Sequence, residues 1–308
     1  MLLHIQRSAR RGARGLALIA SAMFLAPSVV SAAIPASERA ALAALYSATT
    51  GTGWTNNLGW LGAPGTECTW YGVHCFGDHV SDIDLPGNNL VGSLPSLAGL
   101  TEIEYFNVSG NQLQGAIPPL TSLQRLYYAD FGSNRFGGTL PSLSGMTSLS
   151  LFYAGNNQIT GSIPSLGGLT GLQFFAVHSN QLTGALPSIA GMTNLIGFNV
   201  RSNRLTGSIP PLTGLPNLVN FRVYDNQLGG LVPSLAALTS LDVFRIENNL
   251  LSGALPPPPA GLDPGVSSVC PNAFTAVANA AWDAATGQVP WHANCGALPD
   301  PVYASGFD

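Results

Sequence analysis

The sequence contains no lysine, and charged residues make up only 8% of its 308 positions. The absence of lysine excludes a phosphate-binding loop lysine, a kinase lysine and Schiff-base chemistry, each of which needs a lysine amine. The chain also lacks a G-x-S-x-G nucleophile elbow, an H-E-x-x-H zinc motif and a calcium-loop spacing. We therefore expect no catalytic residues, no bound metal and no cofactor, and we predict that the protein is not an enzyme.

Cysteine is scarce and falls into two local pairs, Cys68 with Cys75 and Cys270 with Cys295. Two disulfides, one near each end, are the natural pairing in an exported protein. A zinc site is the alternative, but the pairs lie roughly 200 residues apart, and the first is spaced C-x6-C rather than C-x2-C.

The first 33 residues carry four arginines, then an apolar run from Gly15 to Val30, then Ser31-Ala32-Ala33. This order predicts a secretory signal peptide over residues 1–33, cleaved after Ala32 or Ala33, and hence a secreted or cell-surface protein. A membrane anchor is the alternative, although the run is shorter than the roughly 18–20 residues of a span and contains Pro27. Arg10-Arg11 could also belong to a twin-arginine signal.

Cleavage leaves seven arginines against fifteen acidic residues, a net charge of about −8. A surface with this charge argues against nucleic acid and anionic membranes as partners.

The strongest pattern is a 23-residue period that runs from Val80 to the proline tract at Pro256. Each of eight units has apolar residues at positions one, four and six, asparagine at nine, glycine at thirteen and proline at sixteen. Six units carry phenylalanine at position four, which we interpret as core. The ninth position holds Asn88, Asn111, Asn134, Asn157, Asn180, Asn203, Asn226 and Asn249.

This spacing predicts a short strand in every unit, with positions four and six inside and three, five and seven outside. One unit cannot bury its apolar face alone, so the units must stack into a solenoid with one parallel sheet. The asparagine amide follows the strand where the chain turns inward, and we expect it to bond buried backbone groups in its own and the adjacent coil.

The units resemble plant-specific-type leucine-rich repeats, whose L-x-G-x-I-P pattern stands here as Leu205-Thr206-Gly207-Ser208-Ile209-Pro210. The segment Cys68-Thr69-Trp70-Tyr71-Gly72-Val73-His74-Cys75 is similar to the cap of plant receptor ectodomains and polygalacturonase-inhibiting proteins. The resemblance implies an α/β-type leucine-rich-repeat solenoid with a concave parallel sheet, an irregular or 3-10 convex side and disulfide-bonded caps.

Two departures qualify this resemblance. The plant repeat usually has 24 residues, whereas this repeat has 23 and lacks one after the proline. The arginine-only, Ala- and Gly-rich composition and the Gly-Phe-Asp tail resemble secreted bacterial repeat proteins, and we expect a bacterial member of this kind.

Both ends of the repeat array are predicted to be capped, because terminal coils otherwise expose their core. We divide the chain into a signal peptide (1–33), an N-terminal cap (34–79), eight repeats (80–258) and a C-terminal cap with a short tail (259–308). A cap helix is expected from Ser37, as N-cap, to Thr50. Residues 266–270 are expected to add a last partial strand, and the tail is interpreted as a sorting tag or as disordered.

The outward strand positions vary while the framework recurs, which is how a modular binder diversifies its surface. They predict an acidic start, an aromatic middle and a basic end, and tyrosine and arginine are frequent interface anchors. Neutral drift of exposed positions is the alternative. The predicted ligand-binding residues are Tyr105, Tyr128, Tyr153, Phe174, His178, Arg201, Arg222, Tyr224 and Arg245.

The leading hypothesis is a recognition module for a protein or polysaccharide partner. Inhibition of secreted polysaccharide hydrolases is the alternative that the resemblance implies, and a structural role in adhesion or ice binding ranks last. Glycoside hydrolysis by Asp82, Asp84 and Asp130 is also conceivable from paired carboxylates, but a solvated acidic rim is the simpler interpretation. The oligomeric state stays open.

Overall fold

The computed structural model describes residues 33–275, 277–293 and 295. The predicted signal peptide, apart from Ala33, and the predicted tail after Cys295 lie outside the described residues. Within the described residues, no helix is long and apolar enough to cross a membrane. The same residues contain no group of three or more His, Cys, Asp or Glu side chains placed to hold a metal ion.

The N-terminal cap begins with a helix, Ala36–Ala48, followed by 3-10 turns at Gly51–Gly53 and Glu67–Thr69. Pro35 is the N-cap residue, and its carbonyl accepts hydrogen bonds from the amides of Glu38 and Arg39. The predicted N-cap role of Ser37 is therefore wrong. Proline has no amide hydrogen to lose and its φ suits the chain entering a helix, so the N-cap lies two residues earlier than predicted.

The helix joins the first repeat through a buried carboxylate. The carboxylate of Glu38 is only 2% exposed and accepts hydrogen bonds from the backbone amide of Val80 and from His79 Nδ1, both at 2.7 Å. In the same cap, the ring of Trp60 packs against those of Trp54 and Trp70. The cap thus covers the apolar end of the repeat array.

Nine strands form the concave sheet. The first two pair antiparallel, and every later strand pairs parallel with its neighbour in the adjacent coil. In chain order they are Val73–Phe76, His79–Asp84, Tyr105–Asn107, Tyr128–Asp130, Leu151–Tyr153, Phe174–Ala176, Gly197–Asn199, Asn220–Arg222 and Val243–Arg245.

The other side of each coil is mostly irregular, with 3-10-type turns such as the bonds from Leu100 to Leu97 and from Ile103 to Leu100. Two small parallel sheets also occur there, one near each end. Their strands are Val91–Ser93, Gln112–Gly115 and Arg135–Phe136, then Gly229–Gly230, Leu250–Gly253 and Ala273–Phe274. The predicted fold class, a solenoid with a concave parallel sheet, is confirmed.

The interior of the solenoid is a stack of phenylalanine rings. From Phe152 to Phe244 the rings at position four lie 5.7–5.8 Å apart between neighbouring coils and are nearly parallel. The third coil has Ala129 at this position, and the ring of Phe131 lies between Phe106 and Phe152 instead. The spacing of the rings follows from the spacing of the strands.

The asparagines at position nine form a second stack, which we call the asparagine ladder. Asn180 is representative: its Nδ2 donates to the carbonyls of Ala154, Val177 and His178 at 2.9–3.2 Å. Its Oδ1 accepts from the amide of Ile159 at 2.9 Å. One amide thus satisfies buried backbone groups of two coils, so the ladder determines how each coil sits on the next.

The asparagine ladder continues one coil beyond the eight predicted repeats. Asn272 is fully buried and makes corresponding bonds: its Nδ2 donates to the carbonyls of Ile246 and Val269, and its Oδ1 accepts from the amide of Leu251. Ser268 pairs with Arg245 by a single parallel bridge, where a partial strand was expected. Asn272 keeps the 23-residue spacing from Asn249, but the ninth coil was not recognised because Pro264 and Ser267 replace the apolar residues at positions one and four.

The C-terminal cap closes the opposite end. A short helix, Ala280–Thr286, is capped by the side chain of Asn279. It places Trp282 against Phe244, with ring centroids 6.2 Å apart. The disulfides Cys68–Cys75 and Cys270–Cys295 are both formed, one in each cap, as predicted.

Candidate ligand-binding surface

The candidate site is the concave face, where positions three, five and seven of each coil lie side by side. The parallel register aligns Tyr105 with Tyr128, and Asn107 with Asp130, in neighbouring strands. The same register aligns Gly197 with Asn220, and Asn199 with Arg222. Six of the nine predicted ligand-binding residues lie in the strands of this sheet, and His178, Arg201 and Tyr224 stand two residues past a strand end, at position seven.

The N-terminal half of this surface carries an aromatic wall formed by Tyr105, Tyr128 and Tyr153. The first two rings are stacked, with centroids 4.3 Å apart, and Tyr153 follows at 5.8 Å. Packing between two rings leaves Tyr128 only 8% exposed, so it supports the wall more than it presents a surface. Burial, together with the charge of Asp130, raises the pKa of Tyr153 to about 12, which keeps its hydroxyl a hydrogen-bond donor.

Beside the wall lies a depression of about 350 Å³ over the second to fifth coils. Its floor exists because position seven is Gly132 in one coil and Gly155 in the next. Its sides include Asp130, Tyr153 and His178. A methyl group on Gly155 would lie 2.7–2.9 Å from the imidazole of His178, so only glycine at position 155 lets the imidazole form this side of the depression.

Asp130 places a carboxylate at one side of the depression. Its Oδ1 accepts from the amide of Gly132 at 2.8 Å and its Oδ2 from the hydroxyl of Tyr128 at 3.3 Å. Burial raises the pKa of Asp130, and these two hydrogen bonds partly oppose that effect. The carboxyl group can therefore accept hydrogen bonds from a ligand's donors.

His178 forms the opposite side. Burial, together with the nearby positive charges of Arg201 and Arg222, lowers its pKa to about 4. The imidazole is consequently neutral at physiological pH. Its Nδ1 lies 3.3 Å from the hydroxyl of Ser179, which leaves Nε2 to donate to or accept from a ligand according to the tautomer.

The C-terminal half of the surface is basic, but its cations differ in their contacts. Arg245 pairs with Glu247, whose carboxylate is almost fully buried. Tyr224 lies between Arg201 and Arg245, whose guanidinium carbons are 5.6 and 4.4 Å from its ring centroid. The predicted basic end is thus an ordered cluster.

At the acidic start, Asp84 and Asp130 are separated by an intervening strand. Asn107 stands between Asp84 and Asp130 in the register, and its Nδ2 donates to Asp84 Oδ1 at 3.0 Å. Asp82 accepts from the hydroxyl of Ser81 at 2.6 Å. Two strand spacings, roughly 10 Å, divide Asp84 from Asp130.

Sequence reasoning missed the glycines that make the depression. Gly132 and Gly155 occupy an outward strand position, where a missing side chain leaves space beside its larger neighbours. That signal was present in the repeat alignment, since position seven holds His178, Arg201 and Tyr224 in later coils. The site was predicted from aromatic and charged side chains, so positions that carry no side chain were not considered.

No family model and no curated protein matches the chain. Solved structures do match. The leucine-rich-repeat ectodomain of the plant membrane receptor kinase GASSHO1/SCHENGEN3 from Arabidopsis thaliana, in complex with CASPARIAN STRIP INTEGRITY FACTOR 2, is 31% identical to it with a TM-score of 0.64. That match covers 68% of this chain and 26% of the ectodomain.

Two further structures agree with this fold. The plant peptide hormone receptor RGFR1, in complex with RGF2, is 33% identical with a TM-score of 0.58, covering 63% of this chain and 32% of that one. The PEPR1–AtPEP1 structure is 22% identical with a TM-score of 0.69, covering 82% and 37%. The chain therefore has a leucine-rich-repeat fold, and it spans between about a quarter and two fifths of the length of these structures.

Proposed function

We propose that the protein is a recognition module that binds an extended peptide segment of a partner protein across its concave sheet. The observation that carries this proposal is the depression over Gly132 and Gly155, between Tyr153 and His178. The backbone N–H and C=O groups of an extended peptide need hydrogen-bond acceptors and donors on the surface that binds them. Asp130 and Asn156 line the depression and supply both, and Tyr153 adds aromatic contact area.

The similar structures support a peptide rather than another ligand class. The structure of the plant peptide hormone receptor RGFR1 was solved in complex with RGF2. By analogy, we propose that this chain also binds a peptide. A polysaccharide ligand, inhibition of polysaccharide hydrolases as in the polygalacturonase-inhibiting proteins, and adhesion or ice binding are the rival functions that an experiment must separate.

We also propose that the chain is exported by a cleaved signal peptide, from a bacterium, and divides into the four segments 1–33, 34–79, 80–258 and 259–308. Two disulfides support an oxidising compartment. The strand His79–Asp84 crosses the proposed boundary between the cap and the repeats, which supports one continuous solenoid after cleavage.

The test is a selection of peptides from a random displayed library on the immobilised exported chain, followed by affinity measurement. Tyr153→Ala/His178→Ala removes both sides of the depression. We expect this variant to lose at least about tenfold in affinity for the selected peptides, as interface anchors do when truncated.

Arg204→Ala/Gln227→Ala is the matched control, because both side chains are exposed and follow the asparagine ladder instead of facing the concave sheet. It should bind with unchanged affinity. A library that yields no binders, or binders that tolerate the concave variant, overturns the proposal. Parallel assays with cell-wall polysaccharides, polygalacturonases and ice would then identify which rival replaces it.

A further inference from the structure

The depression on the concave face contains a carboxyl group without a counter-cation. Among the residues that line it, Asp130 is acidic, none is lysine or arginine, and His178 is neutral at physiological pH. None of the ion pairs within residues 33–275, 277–293 and 295 includes Asp130. Burial is the largest cause of its raised pKa, so its charge is poorly solvated. Buried charges in proteins are normally paired, and a cation in the depression would supply that pairing.

The carboxyl group of Asp130 is held in place and still has acceptor capacity. Its Oδ1 accepts from the amide of Gly132 at 2.8 Å, and its Oδ2 accepts from the hydroxyl of Tyr128 at 3.3 Å. A carboxylate offers about four acceptor positions, so roughly two remain for a ligand. Because the two bonds fix the orientation of the group before any ligand arrives, less entropy is lost on binding.

An aromatic ring lies beside this carboxyl group. Tyr153 is the register partner of Asp130 in the next strand, and both residues line the depression. The ring of Tyr153 follows that of Tyr128 in the aromatic wall, with centroids 5.8 Å apart. The face of a tyrosine ring attracts cations through its quadrupole. A carboxyl group and an aromatic ring on the same depression therefore favour a cation over a neutral or anionic group.

The charges farther away also favour a cation at Asp130. Asp84 occupies the same position of the repeat two strands away. Arg201 is the nearest arginine at an outward strand position, and it lies three strands from Asp130, roughly 14 Å. That separation exceeds the Debye length of about 8 Å at physiological ionic strength, so its repulsion is largely screened. The net charge of the chain, −4, attracts cationic ligands as they approach.

We propose that the depression is a subsite for a cationic side chain of the bound peptide, with Asp130 as its charge partner and the ring of Tyr153 as its aromatic contact. A guanidinium group can donate two parallel hydrogen bonds to a carboxylate, and an ammonium group places a compact charge against the ring. Arginine and lysine side chains share this chemistry. The inference rests on the proposed function, and it adds which kind of residue the depression selects.

The first test uses small probes on the full exported chain, so that it does not depend on finding the peptide. Methylguanidinium, methylammonium and uncharged N-methylurea are titrated at pH 7 and constant ionic strength, with sodium chloride as the balancing salt. The readout is the NMR signal of the backbone amide of Gly132, which donates to Asp130 Oδ1. We expect saturable shifts with a cation, with a dissociation constant on the order of 10 mM, and none with N-methylurea. Saturation by one cation alone assigns the subsite to arginine or to lysine.

Two variants and a control locate the bound cation. Asp130→Asn keeps the shape of the side chain and removes its charge, and it should abolish saturation. Tyr153→Leu removes the aromatic face and should weaken cation binding about two- to fivefold. Asp242→Asn removes the same charge in the eighth coil, outside the depression, and should preserve saturation. Circular dichroism of each variant verifies that the solenoid is intact.

The second test uses the peptides selected from the displayed library. Replacing their cationic residue by a neutral analogue of the same shape, norleucine for lysine or citrulline for arginine, should weaken binding to the wild-type chain about tenfold. The same replacement should change binding to Asp130→Asn little, because the charge partner is already gone.

Three results overturn the inference: no saturable response to either cation, an equal response to N-methylurea, or saturation that survives Asp130→Asn. The peptide-binding proposal would survive any of these results if the selected peptides still required Tyr153 and His178 while binding Asp130→Asn as tightly as the wild-type chain. The two proposals can therefore fail separately.

Discussion

Phe174 and Phe175 are neighbours in one strand, yet they belong to two regions that follow different rules. Phe175 is fully buried in the stack of rings, where its neighbours in adjacent coils are again phenylalanine. Phe174 lies on the concave face, where its neighbours in register are Leu151 and Gly197. The interior repeats because every coil must offer the next the same shape, and the concave face is free to differ.

This difference shows that, in a repeat fold, different residues determine stability and ligand recognition. The two faces of a strand alternate residue by residue, so a change on one face leaves the other in place. The interior residues determine the stacking of the coils, and the outward residues determine what the stack can hold. The predictions below test how complete that separation is.

The largest effect is expected at the ring stack. Phe175→Ala should lower the free energy of unfolding by about 3–5 kcal/mol, because it leaves a cavity between two rings that cannot close without shifting whole coils. Phe174→Ala, one residue away, should cost under about 1 kcal/mol. Urea unfolding followed by circular dichroism measures both, and equal losses would show that the two faces are energetically coupled.

An intermediate effect is expected at the asparagine ladder. Asn180→Ala removes the amide that satisfies three carbonyls and one backbone N–H, and we expect a loss on the order of 3 kcal/mol. Asn194→Ala is the control, because this exposed asparagine also donates to a carbonyl, that of Thr170, at 2.8 Å. The control should lose under about 1 kcal/mol in the same urea experiment. A loss for Asn180 no greater than that for Asn194 would contradict a structural role for the ladder.

The smallest effect concerns two histidines with pKa shifts of opposite sign. The pKa of His178 is lowered to about 4, so the unfolded chain takes up a proton between about pH 6.5 and pH 4 that the folded chain does not. Its contribution to stability is therefore present above pH 6.5 and lost as the pH falls through this range. His178→Gln should flatten the stability profile there.

His79 should behave in the opposite way. Its hydrogen bond to Glu38 is the largest cause of its raised pKa, so its contribution is present below pH 6.5 and lost as the pH rises through the raised pKa. His79→Gln should flatten the profile on that side. Thermal unfolding from pH 4 to pH 8, with NMR titration of both imidazoles, measures the two slopes, and two pKa values near 6.5 would refute both assignments.

Much of the fold was predictable because comparing the eight repeats shows which positions the fold constrains. Eight occurrences of the asparagine, and six of the phenylalanine, distinguish residues that geometry requires from residues that merely occur. The ninth coil was not recognised because Pro264 and Ser267 stand at its positions one and four, where the eight predicted repeats have apolar residues. The start of the cap helix was misplaced by the preference for serine at N-caps, where the chain uses Pro35.

The sequence predicted which residues face outward at the candidate site, but it did not predict how their side chains pack against one another. Alternation along the strands indicates which residues face outward, and that needs only the period of two. The burial of Tyr128 between two rings and the position of Tyr224 between two arginines depend on the register of strands 23 residues apart.

The sequence by itself determined the architecture of this protein: the period, the inward and outward positions, the asparagine ladder and the cysteine pairs. Only the tertiary structure decided which outward groups satisfy one another and which do not. Glu247 neutralises Arg245 while Arg222 keeps an unmet donor, and two glycines open a depression beside His178. Periodicity is a property of one coil, whereas charge pairing and empty space arise between coils, where side chains of different repeats meet.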